Sequence, residues 1–219
     1  MTKMEHDTSE WHNFFSDFNV YTNSVRLKVF IDAIRNVVDK KKPILEVGSG
    51  SGATARILAD IGYKIVATDY DADVVKGLKN SSHLPEERLT IHQMDMLDIT
   101  YEDKTFGAVI HQGLLEHFDD QSIVTTLKEQ GRVADWVVFD VPNNRDDEQH
   151  YGDERFLPLS HWKKLFDEAG LELVEYYGRM PPVWTYIFPH AFFTNKRGIF
   201  SLLGKLFGKS YIFICKKKY

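Results

Sequence analysis

The segment Glu46-Val47-Gly48-Ser49-Gly50-Ser51-Gly52 sets three glycines at alternate positions directly after the apolar pair Ile44-Leu45. Glycine lets the chain turn sharply and lets a ligand approach main-chain atoms. Gly48, Gly50 and Ala53 also satisfy a GxGxx(G/A) dinucleotide pattern. Glu46 bears on the choice between ligands. A pyrophosphate carries two negative charges, which a carboxylate two residues before the first glycine opposes. S-adenosylmethionine (SAM) carries an ammonium and a sulfonium, which the same carboxylate attracts. A buried turn with a satisfied glutamate is the plain structural alternative. Three histidines, His111, His117 and His150, are candidate proton acceptors, because an unperturbed imidazole titrates near neutrality.

The elements that must position these groups alternate along the chain. Strands are expected over 43–47, 63–68, 89–93, 106–111, 136–141, 171–177 and 210–216. Helices are expected over 24–38, 54–61, 72–80, 122–132 and 160–169, with Gly62 and Gly170 as stops. Strands and helices alternating at this spacing imply a parallel sheet with helices on both faces. No ordinary crossover separates the last two strands, so the final strand is expected to be antiparallel and inserted beside the sixth. Ligands of such sheets sit at the carboxyl ends of the strands, and the glycine segment falls at such an end.

Glu46-Val47-Gly48-Ser49-Gly50-Ser51-Gly52 resembles the (D/E)xGxGxG signature of class I SAM-dependent methyltransferases. The resemblance continues in register over roughly residues 40–180 and the final strand. It implies a Rossmann-like three-layer α/β sandwich with a mostly parallel seven-stranded sheet. It implies that Asp69, in Ala67-Thr68-Asp69-Tyr70, accepts hydrogen bonds from the ribose hydroxyls, with Tyr70 packing on the adenine. Asp69 alone does not separate the readings, because NAD-binding folds use the same acidic position. In His92-Gln93-Met94-Asp95-Met96 the resemblance assigns Asp95 to the adenine amino group and Met96 to the ring. A turn cap is the alternative for Asp95. The run His111-Gln112-Gly113-Leu114-Leu115-Glu116-His117 resembles the segment with a Leu-Glu-His triplet found in many small-molecule members. It puts His111 and Gln112 at the mouth of the cofactor pocket, beside Gly48, Ser49 and Gly50. His117 is read as structural or as a general base. The (N/D)PP(Y/F) segment of many amide- and amino-group methyltransferases is absent at this place.

The implied reaction is an SN2 methyl transfer to an O, N or C atom, leaving S-adenosylhomocysteine; positioning supplies most of the catalysis. Three regions are candidates for the acceptor pocket. One is an aromatic helix over 11–20 with Trp11, Phe14, Phe15 and Phe18, continued by Tyr21 and Arg26; Tyr21 is a candidate cofactor contact. The second is the polar loop 142–155, where Asn143, Arg145, His150, Tyr151 and Arg155 can orient a polar group. The third is the aromatic, proline-bearing stretch 178–209, read as a lid, a dimer contact or a membrane-surface contact.

Composition narrows the remaining choices. The 219 residues suit a single domain, with an N-terminal helical cap over 1–40 and a lid-like insertion over 178–209. With 27 basic and 32 acidic residues the formal charge is -5, so no nucleic-acid partner is expected. Cys215 is the one cysteine, which excludes an intrachain disulfide and a cysteine-cluster zinc site. No metal motif is present. The polar first ten residues lack the apolar core of a signal peptide, and no stretch approaches the length of a membrane span. The expectation is therefore a cytoplasmic monomer or homodimer acting on a small molecule. Two alternatives stay open: an NAD(P)-dependent dehydrogenase, and a SAM-binding partner subunit without turnover.

Overall fold

The computed structural model describes residues 20–146, 153–179 and 204–218, the side chains of 20–26 and 179 excepted. Helix α1 (Val20–Arg35) precedes β1 (Ile44–Val47), α2 (Ala53–Asp60), β2 (Ile65–Asp69), α3 (Ala72–Ser81), β3 (Leu89–Gln93) and β4 (Phe106–Gln112). A 3₁₀ turn (Leu115–His117) leads to α4 (Asp120–Val133), β5 (Ala134–Pro142), α5 (Leu159–Ala169), β6 (Leu171–Arg179) and β7 (Ser210–Lys217). The seven strands form one sheet in the order β3-β2-β1-β4-β5-β7-β6. The first five strands pair in parallel. Strand β7 runs antiparallel between β5 and β6, as the missing crossover implied.

Strand β1 is buried at every position and β4 at its first six. Such strands read as continuous apolar runs because helices cover both faces of the sheet. Side chains alternate between two cores. One core joins Val109, Phe139, Trp162 and Phe213 beneath α4 and α5. The other joins Phe30, Ile34, Leu58, Ile110 and Ile212 beneath α1 and α2. Burying each such side chain contributes about 1.5–3 kcal/mol. The chain order reverses at β1 and β4, so the loop after β1 opens at the topological switch point.

Helix boundaries follow their caps. Asp119 accepts from the Ser122 N–H and starts α4 at Asp120, two residues before the expected position. Asp71 accepts from the N–H groups of Asp73 and Val74 at the start of α3. Gly170 closes α5 in the left-handed region. Helix α1 begins at Val20 rather than 24 and ends at Arg35, and a turn then carries the Val38 N–H to the Ile34 carbonyl. Apart from Val20, the aromatic helix expected over 11–20 lies outside the described residues.

Most of the insertion expected over 178–209 also lies outside them, but its two ends are described. A Cβ on Gly178 would fall 1.8 Å from the Gly204 carbonyl oxygen, so the chain leaving β6 and the chain returning toward β7 cross backbone on backbone. Asn143 holds the return: its N–H donates to the Lys209 carbonyl and its Nδ2 to the Gly208 carbonyl, at 3.0 and 2.8 Å. Arg145 donates to the Gly208 and Lys205 carbonyls. These two side chains, offered from sequence to an acceptor, are occupied in joining the β5 loop to the approach to β7.

Candidate active site

Gly48, Gly50 and Gly52 have φ of 62, 49 and 67°, the left-handed region that glycine enters without strain. The loop they form is tied to the end of β2. The Ser49 N–H donates to the Thr68 carbonyl at 2.9 Å, and the Gly50 N–H donates to Asp69 Oδ2 at 3.0 Å. Asp69 Oδ1 accepts from the Asp71 N–H, and the Asp69 carbonyl accepts from the Met94 N–H. The carboxyl ends of β1, β2 and β3 are thereby locked together. On the other side, Thr54 Oγ1 donates to Gln112 Oε1 at 3.1 Å, joining the start of α2 to the end of β4. Leu114 packs against Gly48, where an added Cβ would meet Cδ1 at 3.0 Å.

Glu46 lies beneath this loop, 4% exposed, and its Oε2 has no hydrogen-bond partner among the described residues. Burial pushes its pKa up to about 8 and nearby Asp69 adds to the rise, while the Ser49 hydroxyl and the Ala55 N–H oppose it. Burial also raises Asp69 above the ordinary carboxylate range, against the N–H groups of Gly50 and Asp71. The site therefore holds one buried carboxyl, Glu46, whose ionisation is suppressed until a cation reaches it, beside Asp69, whose two oxygens already accept from backbone N–H groups. That acceptor set fits a ligand with an ammonium and a ribose diol, and it opposes a pyrophosphate.

Asp95 is exposed, and its Oδ1 accepts from the Leu97 N–H at 2.9 Å in a turn. Tyr70 is 59% exposed beside Asp69, with its carbonyl held by Gln93 Nε2. Met96 is buried. Gln112 reaches the edge of the sheet, and its Nε2 points to Asp140 Oδ2 at 3.4 Å. The structure thus brings Glu46, Gly48, Ser49, Gly50, Asp69, Tyr70, Asp95, Met96 and Gln112 to one edge. The backbone of Tyr21 lies in α1; its side chain falls outside the described residues, as does His150.

His111 is a correction. It is fully buried, with its ring stacked on Phe139 at 4.8 Å between centroids, and it does not line a pocket mouth. Burial lowers its pKa to about 3, so it is neutral at physiological pH and too weak a base for that role.

His117 differs. It is buried in the 3₁₀ turn, and its Nδ1 lies 2.6 Å from Asp153 Oδ1. The neighbouring Arg155 fixes that loop. Its N–H donates to the Glu116 carbonyl, its Nη1 to the Phe118 carbonyl and its Nη2 to Asp120 Oδ1. His161 Nε2 meets the other Asp120 oxygen at 2.9 Å. Sequence reading missed Thr54, Asp140 and the partnership of Asp153 with His117. Asp140 carried a signal, as the lone charge inside the apolar run Trp136–Val141; the others carried none.

Residues 45–134 match the family model described as a methyltransferase domain. The fold is also that of solved methyltransferases. The CcbJ methyltransferase from Streptomyces caelestis superposes with a TM-score of 0.71 at 10% identity, over 98% of this chain and 100% of that one. A chain of the complex between the Haloferax volcanii Trm112 methyltransferase activator and a methyltransferase gives 0.69 at 15% identity, over 96% and 98%. The glycopeptide N-methyltransferase MtfA, solved with SAM, gives 0.64 at 11% identity, over 88% and 87%. The fold is thus that of class I SAM-dependent methyltransferases, and the methyltransferase-domain model matches the central segment of the chain. In sequence it is 25% identical over 129 residues to the eEF1A lysine and N-terminal methyltransferase of Mus musculus. The human protein of that name is 23% identical. The match covers 56% of this chain and 18% of those relatives. No described helix is long and apolar enough to cross a membrane.

Proposed function

We propose that this chain binds SAM on the β1–β4 edge and transfers its methyl group to an O, N or C atom of a small-molecule acceptor. The observation that carries the reading is the unpartnered Oε2 of buried Glu46 beneath a left-handed glycine loop. SAM, when bound, supplies a methyl group on a sulfonium that departs as a neutral thioether. Glu46 ionises against the ammonium of the cofactor, and the glycine loop leaves its backbone open to the ligand. Asp69, already fixed by Gly50 and Asp71, accepts from the ribose diol. Asp95 accepts from the adenine amino group, while Tyr70 covers the ring and Met96 and Gln112 flank the pocket. His117, oriented by Asp153, takes the proton of an acceptor that must lose one. NAD(P) fits less well, because Glu46 would face a pyrophosphate.

A second reading has its own support: the curated relatives named above are protein methyltransferases, which favours a lysine or N-terminal amine as acceptor. Calorimetric titration with SAM, S-adenosylhomocysteine and NAD tests the cofactor, with Asp69→Ala as control. Micromolar binding of both adenosyl ligands, absent for NAD and lost in the variant, supports the proposal. Binding of NAD alone overturns it. Binding of SAM without transfer to any amine, hydroxyl or protein acceptor would favour a partner subunit without turnover.

A further inference from the structure

Behind the site, on β4 and α4, five buried polar atoms have no hydrogen-bond partner among the described residues. They are Nδ1 and Nε2 of His111, Oε1 and Nε2 of Gln130, and Oγ1 of Thr126. All three residues are 0% exposed. Thr126 and Gln130 stand one helical turn apart on the buried face of α4. Gln130 lies alongside the imidazole, which stacks on Phe139. Buried polar groups are almost always paired, and leaving five unpaired would cancel much of the net stability of a domain. Direct contact cannot satisfy the set. If the Gln130 amide swings onto the imidazole and its other atom meets the Thr126 hydroxyl, one ring nitrogen still stays stranded. A water molecule has up to four hydrogen bonds to give and can serve three such groups at once.

We infer that this place is a buried hydration site, in which at least one ordered water bridges the His111 imidazole, the Gln130 amide and the Thr126 hydroxyl. The water keeps a neutral ring fixed directly behind Gln112, the last residue of β4. Its place depends on neither the cofactor nor turnover.

Two measurements on the full chain test it. In a high-resolution crystal structure, a water should lie about 2.7–3.2 Å from the Gln130 amide, from one imidazole nitrogen and from Thr126 Oγ1. In a double-mutant cycle, Thr126→Val should lower Tm by about 2–4 °C in the parent. The same substitution should have clearly less effect in the Gln130→Met background, because the shared water is already lost there. A crystal structure with His111 bonded directly to Gln130 and no water overturns the inference. Thr126→Val having the same effect in both backgrounds overturns it equally. If Gln130→Met fails to fold, the parent crystal structure decides alone.

Discussion

His117 and Asp153, thirty-six positions apart in sequence, meet at 2.6 Å between Nδ1 and Oδ1. The pair bridges the turn after β4 and the loop after β5, both at the carboxyl edge. A carboxylate on Nδ1 holds the proton there and leaves Nε2 as the basic nitrogen. If His117 accepts a proton during transfer, His117→Gln and Asp153→Asn each lower kcat about 100-fold. SAM affinity should stay within about twofold, because neither residue belongs to the cofactor contacts. Single-turnover transfer assays beside calorimetry check this. Unchanged turnover with a lowered Tm would make the pair structural.

Glu46 predicts a proton linkage. With a free-state pKa of about 8, its carboxyl is mostly protonated at pH 6. A cationic ligand that needs the ionised form then releases a proton on binding. SAM affinity should rise up to about tenfold from pH 6 to pH 7, the limit for one proton. Glu46→Gln should bind more weakly and without that slope. Titration in two buffers of different ionisation enthalpy measures the released proton directly. A flat profile in the parent would mean that Glu46 does not meet the cation.

The sheet was legible because its strands are short buried runs punctuated by glycine and proline, and a parallel strand shows no alternation to confuse the reading. The order of motifs at strand ends carried the fold class. The error at His111 came from reading position along the strand without its face. Val109 and His111 share a parity, and Val109 points into the core beneath α4. His111 pairs in register with Phe139, which points the same way. The partnership of Asp153 was not legible, since a loop has no period and its contact lies across two elements. Asn143 and Arg145 were misread for a related reason: a polar loop looks free in sequence, and in the fold it ties down the return of another segment.

Gly52 should tolerate no side chain. It sits at φ 67°, and an added Cβ would fall 2.5 Å from Leu78 Cδ2 on α3. Gly52→Ala adds left-handed strain of about 1–3 kcal/mol to a contact that Leu78 must relieve by moving. Tm should fall by several degrees, and SAM binding should weaken because the loop and α3 shift together. Pairing it with Leu78→Ala should recover part of the binding while leaving the strain. Thermal melts and calorimetry on the three variants separate the two effects.

The pH dependence of stability should show two opposed contributions. His111 has a folded pKa lowered to about 3 from an unfolded value of 6.5. Between these values the unfolded chain binds the proton and the folded chain does not. The stability from this group is present above pH 6.5 and is lost as the pH falls toward 3. Glu46 runs the other way: its folded pKa is raised from 4.5 to about 8, so its contribution is complete below pH 4.5 and is lost as the pH rises through 8. Each slope is at most about 1.4 kcal/mol per pH unit. Between pH 4.5 and 6.5 they cancel in part, so the parent protein should show a shallow plateau there, with a steep loss below. His111→Phe should remove the acid-side loss, and Glu46→Gln should flatten the side from pH 6.5 to 8. Urea midpoints measured at half-unit steps from pH 3 to 9 resolve both. A His111→Phe variant that keeps the steep acid limb would assign acid unfolding to other groups.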